Sequence, residues 1–161
     1  MDVTNTLSGR FARALRENWI ETALAVVTAL SSIPFASKFL YHIDSAQYAL
    51  GMRHYSIIDY QPHPSGYPVY VFLGKALDLV MPDANGALVA LSVIFACVGV
   101  AALYRLALAM TGHRAASASA ALFLVFNPLF WFYREVALNY TSEMMTHALT
   151  GLLVYRIAFE G

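Results

Sequence analysis

The residues best suited to chemistry lie in one polar segment of an otherwise apolar chain. Asp44 closely follows a long apolar run, and the stretch "DYQPHPSGYP" (59–68) adds three prolines, His63 and Tyr67. A carboxylate at the edge of a lipid-facing cavity can act as a general base or acid. A carboxylate also suits the N-cap of a helix, where free N–H groups and the helix dipole favour negative charge. Sequence spacing leaves both interpretations of Asp44 open.

Histidines in the same segment raise the alternative of a metal site. His42, His54 and His63 share the segment with Asp44 and Asp59. No pair among them has the i, i+4 or close loop spacing that metal ligands commonly show. The sequence therefore predicts no bound metal and no other cofactor.

A second polar set lies near the C-terminal end of the chain. Asn139, Glu143, His147 and Thr150 recur at intervals of four, four and three, which places them on one face of a helix. A carboxylate inside a membrane helix costs about 3 kcal/mol unless it has a partner, so it usually faces a bundle interior or a wet cavity. The alternative is that "NYTSE" (139–143) lies outside the membrane and one of its hydroxyls caps a shorter helix.

Apolar helices must position these residues. Charged residues make up 12% of the 161 residues, against about 25% in soluble domains, and the mean hydropathy is +0.57. This composition predicts an all-α integral membrane protein. Apolar runs of sufficient length predict about four transmembrane helices, at residues 20–41, 87–110, 115–133 and 139–159. Together they form a membrane domain over residues 19–161, preceded by a basic, amphipathic, cytoplasmic segment at 1–18.

The loop between the first two spans, residues 42–86, is too long to be a simple connection. Helical spacing after Asp44 predicts one helix, and Pro68 at the start of "YPVYVFLGKALDLVM" (67–81) predicts another. The second apolar stretch is too short to span a bilayer. We therefore expect two juxtamembrane helices on the outer membrane surface, hinged by "DYQPHPSGYP".

Basic residues near the helix ends predict the orientation. Arg105, Arg114, Arg156 and the three arginines of residues 1–18 fall on one side if the spans alternate, and the positive-inside rule makes that side cytoplasmic. The N-terminus is then cytoplasmic and the loop 42–86 exoplasmic. Net charge is zero and no basic patch is interleaved with aromatics, so nucleic acid is excluded as a partner.

The order of these pieces resembles a known family. An acidic residue just after the first span, then "HPSGYPVYVFLGK" (63–75), then paired spans and "FWFYREVALNY" (130–140), resembles the N-terminal part of the GT-C membrane glycosyltransferases, in the branch related to protein O-mannosyltransferases. The family's enzymes use polyprenyl-phosphate sugars and continue for many more spans. The resemblance therefore implies an opening module of such an enzyme, expected to be incomplete alone.

The resemblance also implies roles for individual residues. Asp44 matches the catalytic carboxylate that accepts a proton from the acceptor hydroxyl. His63 and Tyr67 would offer hydrogen bonds to the sugar or the phosphate, and Glu135 corresponds to an acidic residue of a later exoplasmic loop. The leaving phosphate needs cations, and three basic residues on the exoplasmic side are candidates: Arg53, Lys75 and Arg134.

Two other functions stay open. A relative that has lost catalysis would serve as an accessory structural subunit, packing its small-residue helix faces against a larger membrane complex. A small transporter or proton relay would use Glu143 and His147. Expected partners are the lipid bilayer, other membrane subunits and, for the transferase, a polyprenyl-phosphate sugar.

Overall fold

A computed structural model describes residues 18–81 and 83–159. The regular elements of this part are helices joined by turns, which confirms the all-α prediction. The amphipathic helix predicted within residues 1–18 lies almost wholly outside the described residues. The helices, in chain order, are α1 (Trp19–Ser32) with a 3-10 turn (Ile33–Phe35), α2 (Ile43–Arg53), α3 (Pro68–Asp78), α4 (Ala84–Thr111), α5 (Arg114–Val125), α6 (Pro128–Arg134) and α7 (Tyr140–Phe159).

One described helix is long and apolar enough to cross a membrane by itself. That helix is α4, with 28 residues, and the pair α5 and α6 qualifies as a second span only if the two are taken as one bent segment. The prediction of about four transmembrane helices is therefore not confirmed. The apolar helix over Trp19–Phe35 falls short of the required length.

The first predicted span, 20–41, ends early. Regular α-helix stops at Ser32, and one 3-10 turn carries the chain to Phe35. Pro34 is the physical reason, because it lacks an N–H and its ring restricts the residue before it. The rest of the predicted span is irregular, and Ser37 N there donates a hydrogen bond to the carbonyl of Glu135 at 2.7 Å.

The third predicted span, 115–133, is broken. Helix α5 ends at Val125, and α6 starts at Pro128 with a bend of 64°. Pro128 disfavours the helical conformation at the preceding residue, and Asn127 instead caps α6 by accepting hydrogen bonds from Leu129 N and Phe130 N at 3.0 and 3.1 Å. The bounds of α4 and α7 agree with the predicted 87–110 and 139–159 to within three residues, but of these two helices only α4 is apolar enough to qualify as a span.

Helix α4 is the centre of the described bundle and contacts every other α-helix there. At its N-terminal end, Asn85 Nδ2 donates to the Ser37 carbonyl at 2.8 Å, and the Ser92 hydroxyl lies 3.0 Å from the carbonyls of Val136 and Leu138. The end of α1 and the start of α7 therefore both lie beside the start of α4. Helices α2 and α3 cover this same end, packing buried Tyr48, Tyr70 and Val71 into one cluster with Leu88 and other α4 residues.

Arg105 and Arg114 lie toward the opposite end of the bundle. Arg105 Nε donates to Glu21 Oε1 at 3.1 Å, which joins α4 to the start of α1. The Tyr155 hydroxyl of α7 donates to the carbonyl of Ala109 at 3.1 Å. Gly112, with φ of 68°, ends α4 and lets the chain reverse into α5. Helices α1 and α5 thus run opposite to α4 and α7.

Candidate active site

Helix α2 begins at His42, and this corrects one interpretation of Asp44. The N-cap is His42, whose Nδ1 accepts a hydrogen bond from the Asp44 backbone N–H at 3.2 Å, while Ser45 Oγ accepts from His42 N at 3.4 Å. Asp44 lies in the first turn, so the N-cap assignment for it is wrong. The helix dipole still stabilises the charged Asp44 carboxylate, but this carboxylate does not cap the N-terminus of α2.

The proline-rich hinge holds its backbone in unusual conformations. Ser65, Gly66 and Tyr67 all have positive φ, at 98°, 69° and 40°. Positive φ costs a non-glycine residue of order 1 to 2 kcal/mol, and such strain concentrates at functional sites. The Tyr55 hydroxyl fixes the turn by donating to the Gly66 carbonyl at 3.0 Å. The hinge thereby delivers the chain to Pro68, the first residue of α3, as predicted.

This hinge brings His63 and Tyr67 to Asp44. Asp44 Oδ1 lies 3.9 Å from His63 Nδ1, and Asp44 Oδ2 lies 3.3 Å from His42 Nδ1. The ring of His63 packs 5.1 Å from that of Tyr67, centroid to centroid. The side chains of Asp44 and His63 are 29% and 25% exposed, while His63 Nδ1 itself is buried without a hydrogen-bond partner among the described residues. We call the set Asp44, His42, His63, Tyr48 and Tyr67 the Asp44 pocket.

Tyr48 is buried and forms the floor of the Asp44 pocket. Its ring lies 5.6 Å from those of both His63 and Tyr67. Burial raises the pKa of the Tyr48 hydroxyl, and neighbouring Tyr67 and Asp44 add to the rise, so the hydroxyl stays protonated. It donates to Asn139 Oδ1 at 3.1 Å. The sequence reasoning did not single out Tyr48, although its position four residues after Asp44 places both on one helical face.

A second carboxylate reaches the same region through Asn139. Asn139 Nδ2 donates to Glu143 Oε1 at 2.6 Å, so a continuous chain of hydrogen bonds joins Tyr48 of α2 to Glu143 of α7. Asp44 and Glu143 both act electrostatically on Tyr48. Sequence reasoning placed Glu143 in a proton relay and assigned the later acidic position to Glu135. The structure instead links Glu143, through Asn139, to Tyr48 of the Asp44 pocket.

The remainder of the polar stripe on α7 faces outward. Glu143, His147 and Thr150 are exposed, whereas Asn139 is buried. His147 Nδ1 lies 2.7 Å from the carbonyl of Glu143 on its own helix. Helix α7 begins at Tyr140, so the alternative of a shorter helix capped by Thr141 or Ser142 is wrong.

The two exposed predicted cations lie away from Asp44. Arg53 is nine residues further along α2, about 13 Å along the helix axis. It lines a separate groove with Leu50 and Asp83. Lys75 is exposed on α3 and lies about 12 Å from Tyr67 along the axis of that helix. Contact of either residue with the phosphate stays a prediction.

Arg134 is held by its own chain. Its side chain is fully buried, and the guanidinium donates from Nη1 to the Val125 carbonyl at 3.0 Å and from Nη2 to Ser31 Oγ at 2.9 Å. The Trp131 ring lies 4.8 Å from its Cζ. Val125 is the last residue of α5, so Arg134 supplies a donor to a carbonyl near the break at Pro128. The guanidinium thus joins the end of α5 to Ser31 of α1. Phosphate binding by Arg134 stays a prediction.

Glu135 follows as the C-cap of α6. Desolvation raises the pKa of its carboxyl group, and the neighbouring Arg134 charge opposes that rise. Its Oε1 is buried without a hydrogen-bond partner in the described part of the chain. No hydrogen bond or ion pair of the described residues joins Glu135 to Asp44, and a substrate role for Glu135 stays a prediction.

Within residues 18–81 and 83–159, no three His, Cys, Asp or Glu side chains are grouped so that they could hold a metal ion. Comparison with family models, curated proteins and solved structures gives no match to this chain. The chemistry of the site is therefore argued from its own groups. These are a half-exposed carboxylate beside an imidazole, a protonated buried tyrosine, and a second carboxylate on the neighbouring helix.

Proposed function

We propose that the chain is a GT-C-like glycosyltransferase membrane module that transfers a sugar from a polyprenyl-phosphate donor. The observation that carries the proposal is the 3.9 Å approach of His63 Nδ1 to Asp44 Oδ1. These two residues belong to separate sequence motifs, 19 positions apart, and the strained hinge brings them to one partly exposed pocket. A pocket that combines a proton acceptor with imidazole and phenol hydrogen-bond donors suits a sugar phosphate.

In the proposed reaction, Asp44 accepts the proton of the acceptor hydroxyl while that oxygen attacks the anomeric carbon. The new glycosidic bond forms as the bond from the anomeric carbon to the phosphate oxygen breaks, and polyprenyl phosphate leaves with inversion. A carboxylate is a weak base for a hydroxyl, so proton transfer accompanies bond formation, where a positioned base contributes about 10²- to 10⁴-fold. His63 and Tyr67 would orient the donor.

The same proposal places the chain in a bilayer. Four membrane-crossing segments would be α1 with its 3-10 turn, α4, the bent pair α5 and α6, and α7. Arg105, beside Glu21, and Arg114 lie at the end of the bundle away from Asp44, which supports a cytoplasmic location for that end. The Asp44 pocket, α2 and α3 would then be exoplasmic.

The test is sugar transfer by the full chain in native membranes, using a radiolabelled polyprenyl-phosphate sugar. Asp44→Asn removes the proton acceptor with almost no change in shape and should lower the transfer rate by about 10²- to 10⁴-fold. Asp59→Asn is the matched control, because Asp59 lies in the same loop and its carboxylate only accepts a hydrogen bond from Ser56 at 2.6 Å. Full activity of Asp44→Asn would exclude the proposed base.

One observation favours the second candidate, an accessory structural subunit. The exposed Glu143, His147 and Thr150 on α7 would meet lipid if nothing covered them, and intramembrane polar groups usually find partners. Co-purification from native membranes in mild detergent distinguishes the candidates. A larger assembly at fixed stoichiometry, together with unchanged transfer in Asp44→Asn, would favour the structural subunit.

A further inference from the structure

A groove of about 340 Å³ runs between α1 and α5. The α1 wall extends from Trp19 to Val27 and the α5 wall from Arg114 to Leu122, so each wall is about 12 Å long. Because α1 and α5 run in the same direction, Trp19 and Arg114 lie together at one end of the groove. Of the described residues that line the groove, Arg114 alone is charged and the others are apolar. The groove therefore has one charged end and an apolar length.

The described part of the chain does not balance the charge of Arg114. Glu21 lies at the same end of the bundle, but its Oε1 accepts a hydrogen bond from Arg105 Nε at 3.1 Å. No side-chain hydrogen bond or ion pair links Arg114 to any residue within 18–81 or 83–159. Arg114 is also the first residue of α5, whose first turn has no acidic residue and no side-chain cap. The positive end of the helix dipole therefore adds to the arginine charge, and an anion at this end of the groove would be stabilised by both.

The end of α4 indicates the depth at which Arg114 lies. Helix α4, which is long and apolar enough to cross a membrane by itself, ends at Thr111, and Arg114 follows after the turn at Gly112. At the same end of the groove, the Trp19 side chain is 59% exposed, and tryptophan is enriched at membrane–water interfaces. With α4 across a bilayer, the charged end of the groove lies at the level of the lipid head groups and the apolar length extends into the hydrocarbon.

The size and chemistry of the groove distinguish among three kinds of occupant. A protein helix about 10 Å across occupies roughly 80 Å³ for every ångström of its length, so 340 Å³ would seat less than one turn. A free phosphate ion would bind Arg114 but leave the apolar walls uncovered. A molecule with an anionic head and a hydrocarbon chain covers both the charge and the walls.

We propose that the groove between α1 and α5 binds an anionic phospholipid, with its phosphate on Arg114 and one acyl chain along the apolar walls. A guanidinium donates two parallel hydrogen bonds to a phosphate, and basic pockets between membrane helices bind the head groups of anionic lipids. This inference rests on the bilayer placement given with the proposed function, but it does not depend on the sugar chemistry. The site is at the end of the bundle away from Asp44, so the lipid bound there is not the sugar donor.

The test is native mass spectrometry of the full chain in mild detergent, titrated with phosphatidylglycerol and with phosphatidylcholine of the same acyl chains. The wild type should bind phosphatidylglycerol about fivefold more tightly, because the choline group of the other lipid offsets the phosphate charge. Arg114→Gln, at an exposed position, should remove this preference. Arg156→Gln is the matched control and should keep the preference, since it makes the same charge change in the last turn of α7, outside the groove.

A second pair of variants tests the apolar length of the groove. Val27→Trp fills the groove far from Arg114 and should weaken the binding of both lipids about tenfold. Val26→Trp is its matched control, because Val26 is the neighbouring α1 residue, is 48% exposed and does not line the groove. Leu122→Trp fills the groove from the α5 wall and repeats the test if Val27→Trp does not fold.

Four results would overturn the lipid site. These are equal binding of the two lipids by the wild type, an unchanged preference in Arg114→Gln, an equal loss of preference in Arg156→Gln, or equal binding by Val27→Trp and Val26→Trp. The sugar-transfer assay separates this failure from that of the proposed function. Transfer that needs Asp44 without selective lipid binding overturns the lipid site alone, whereas selective binding without transfer upholds the lipid site and counts against the transferase.

Discussion

The hydroxyl of Tyr48 donates a hydrogen bond to Asn139 Oδ1 across 3.1 Å, and this contact joins two helices separated by 91 positions in the chain. Tyr48 is buried on α2, and Asn139 immediately precedes α7. Asn139 passes the connection on to Glu143 at 2.6 Å. One buried hydroxyl therefore links, through Asn139, the helices that carry the two carboxylates of the candidate site, Asp44 and Glu143.

Tyr48→Phe should destabilise the protein by about 1 to 3 kcal/mol, because the buried Asn139 oxygen would lose its donor without access to water. Thermal unfolding in detergent measures the loss. Tyr41→Phe is the control, since Tyr41 is 55% exposed and should change stability by less than about 0.5 kcal/mol. Equal melting temperatures for the two variants would show that the link does not hold α2 to α7.

Gly66→Ala should damage the hinge more than the same change elsewhere. A Cβ at Gly66 would meet the Tyr55 hydroxyl and lie 2.9 Å from Ile57 Cδ1, in addition to the cost of positive φ. Gly112→Ala is the matched control, because its φ of 68° is nearly the same and nothing lies within 4 Å of the added Cβ.

Each of these alanines should cost about 1 kcal/mol through φ, and only Gly66→Ala should add a further 1 to 3 kcal/mol for the clash. Denaturation of both variants measures the difference. If Gly112→Ala is as destabilising as Gly66→Ala, the hinge is not tightly packed. If sugar transfer exists, it should fall in Gly66→Ala alone, because the hinge carries His63 and Tyr67.

Local signals allowed the helices around the site to be predicted. Pro68 fixes the φ of a first helical residue, and Gly112 supplies the positive φ that ends α4 before the chain reverses into α5. The break before Pro128 also had a local signal in "NP", which the continuous apolar pattern of 115–133 concealed. Hydropathy measures composition and does not register a missing N–H.

The candidate site itself was predictable only in part. Asp44, His63 and Tyr67 were selected from their residue types, but the 3.9 Å approach of His63 to Asp44 depends on three successive positive φ values. His42 as N-cap was missed, because an imidazole nitrogen caps a helix only in a specific ring orientation. The Tyr48–Asn139 bond has no local signature, since its partners come from different motifs.

Glu135 should make stability depend on pH. Desolvation raises the pKa of its carboxyl group above the ordinary value of 4.5, so the folded protein binds a proton that the unfolded chain releases. Protonated Glu135 therefore adds to the free energy of unfolding. This added stability is fully present below pH 4.5 and is lost as pH rises through the higher pKa of the folded state. Glu135→Gln should remove this decrease in stability with rising pH. Melting temperatures of the two proteins, measured at a series of pH values above about pH 4, would show the difference. Asp78→Asn, the same charge change on α3, should retain it, and parallel curves for wild type and Glu135→Gln would contradict the prediction.

Arg134→Lys tests whether the buried guanidinium braces the fold. The variant keeps the charge, but an ammonium group lacks the planar fork that reaches both Ser31 Oγ and the Val125 carbonyl while lying over Trp131. We expect a loss of about 1 to 3 kcal/mol in the free energy of unfolding. Arg53→Lys, at an exposed position of α2, should change the free energy of unfolding by less than about 0.5 kcal/mol. A variant Arg134→Lys of wild-type stability that has lost sugar transfer would instead assign Arg134 to the phosphate, because only ligand binding would then have changed.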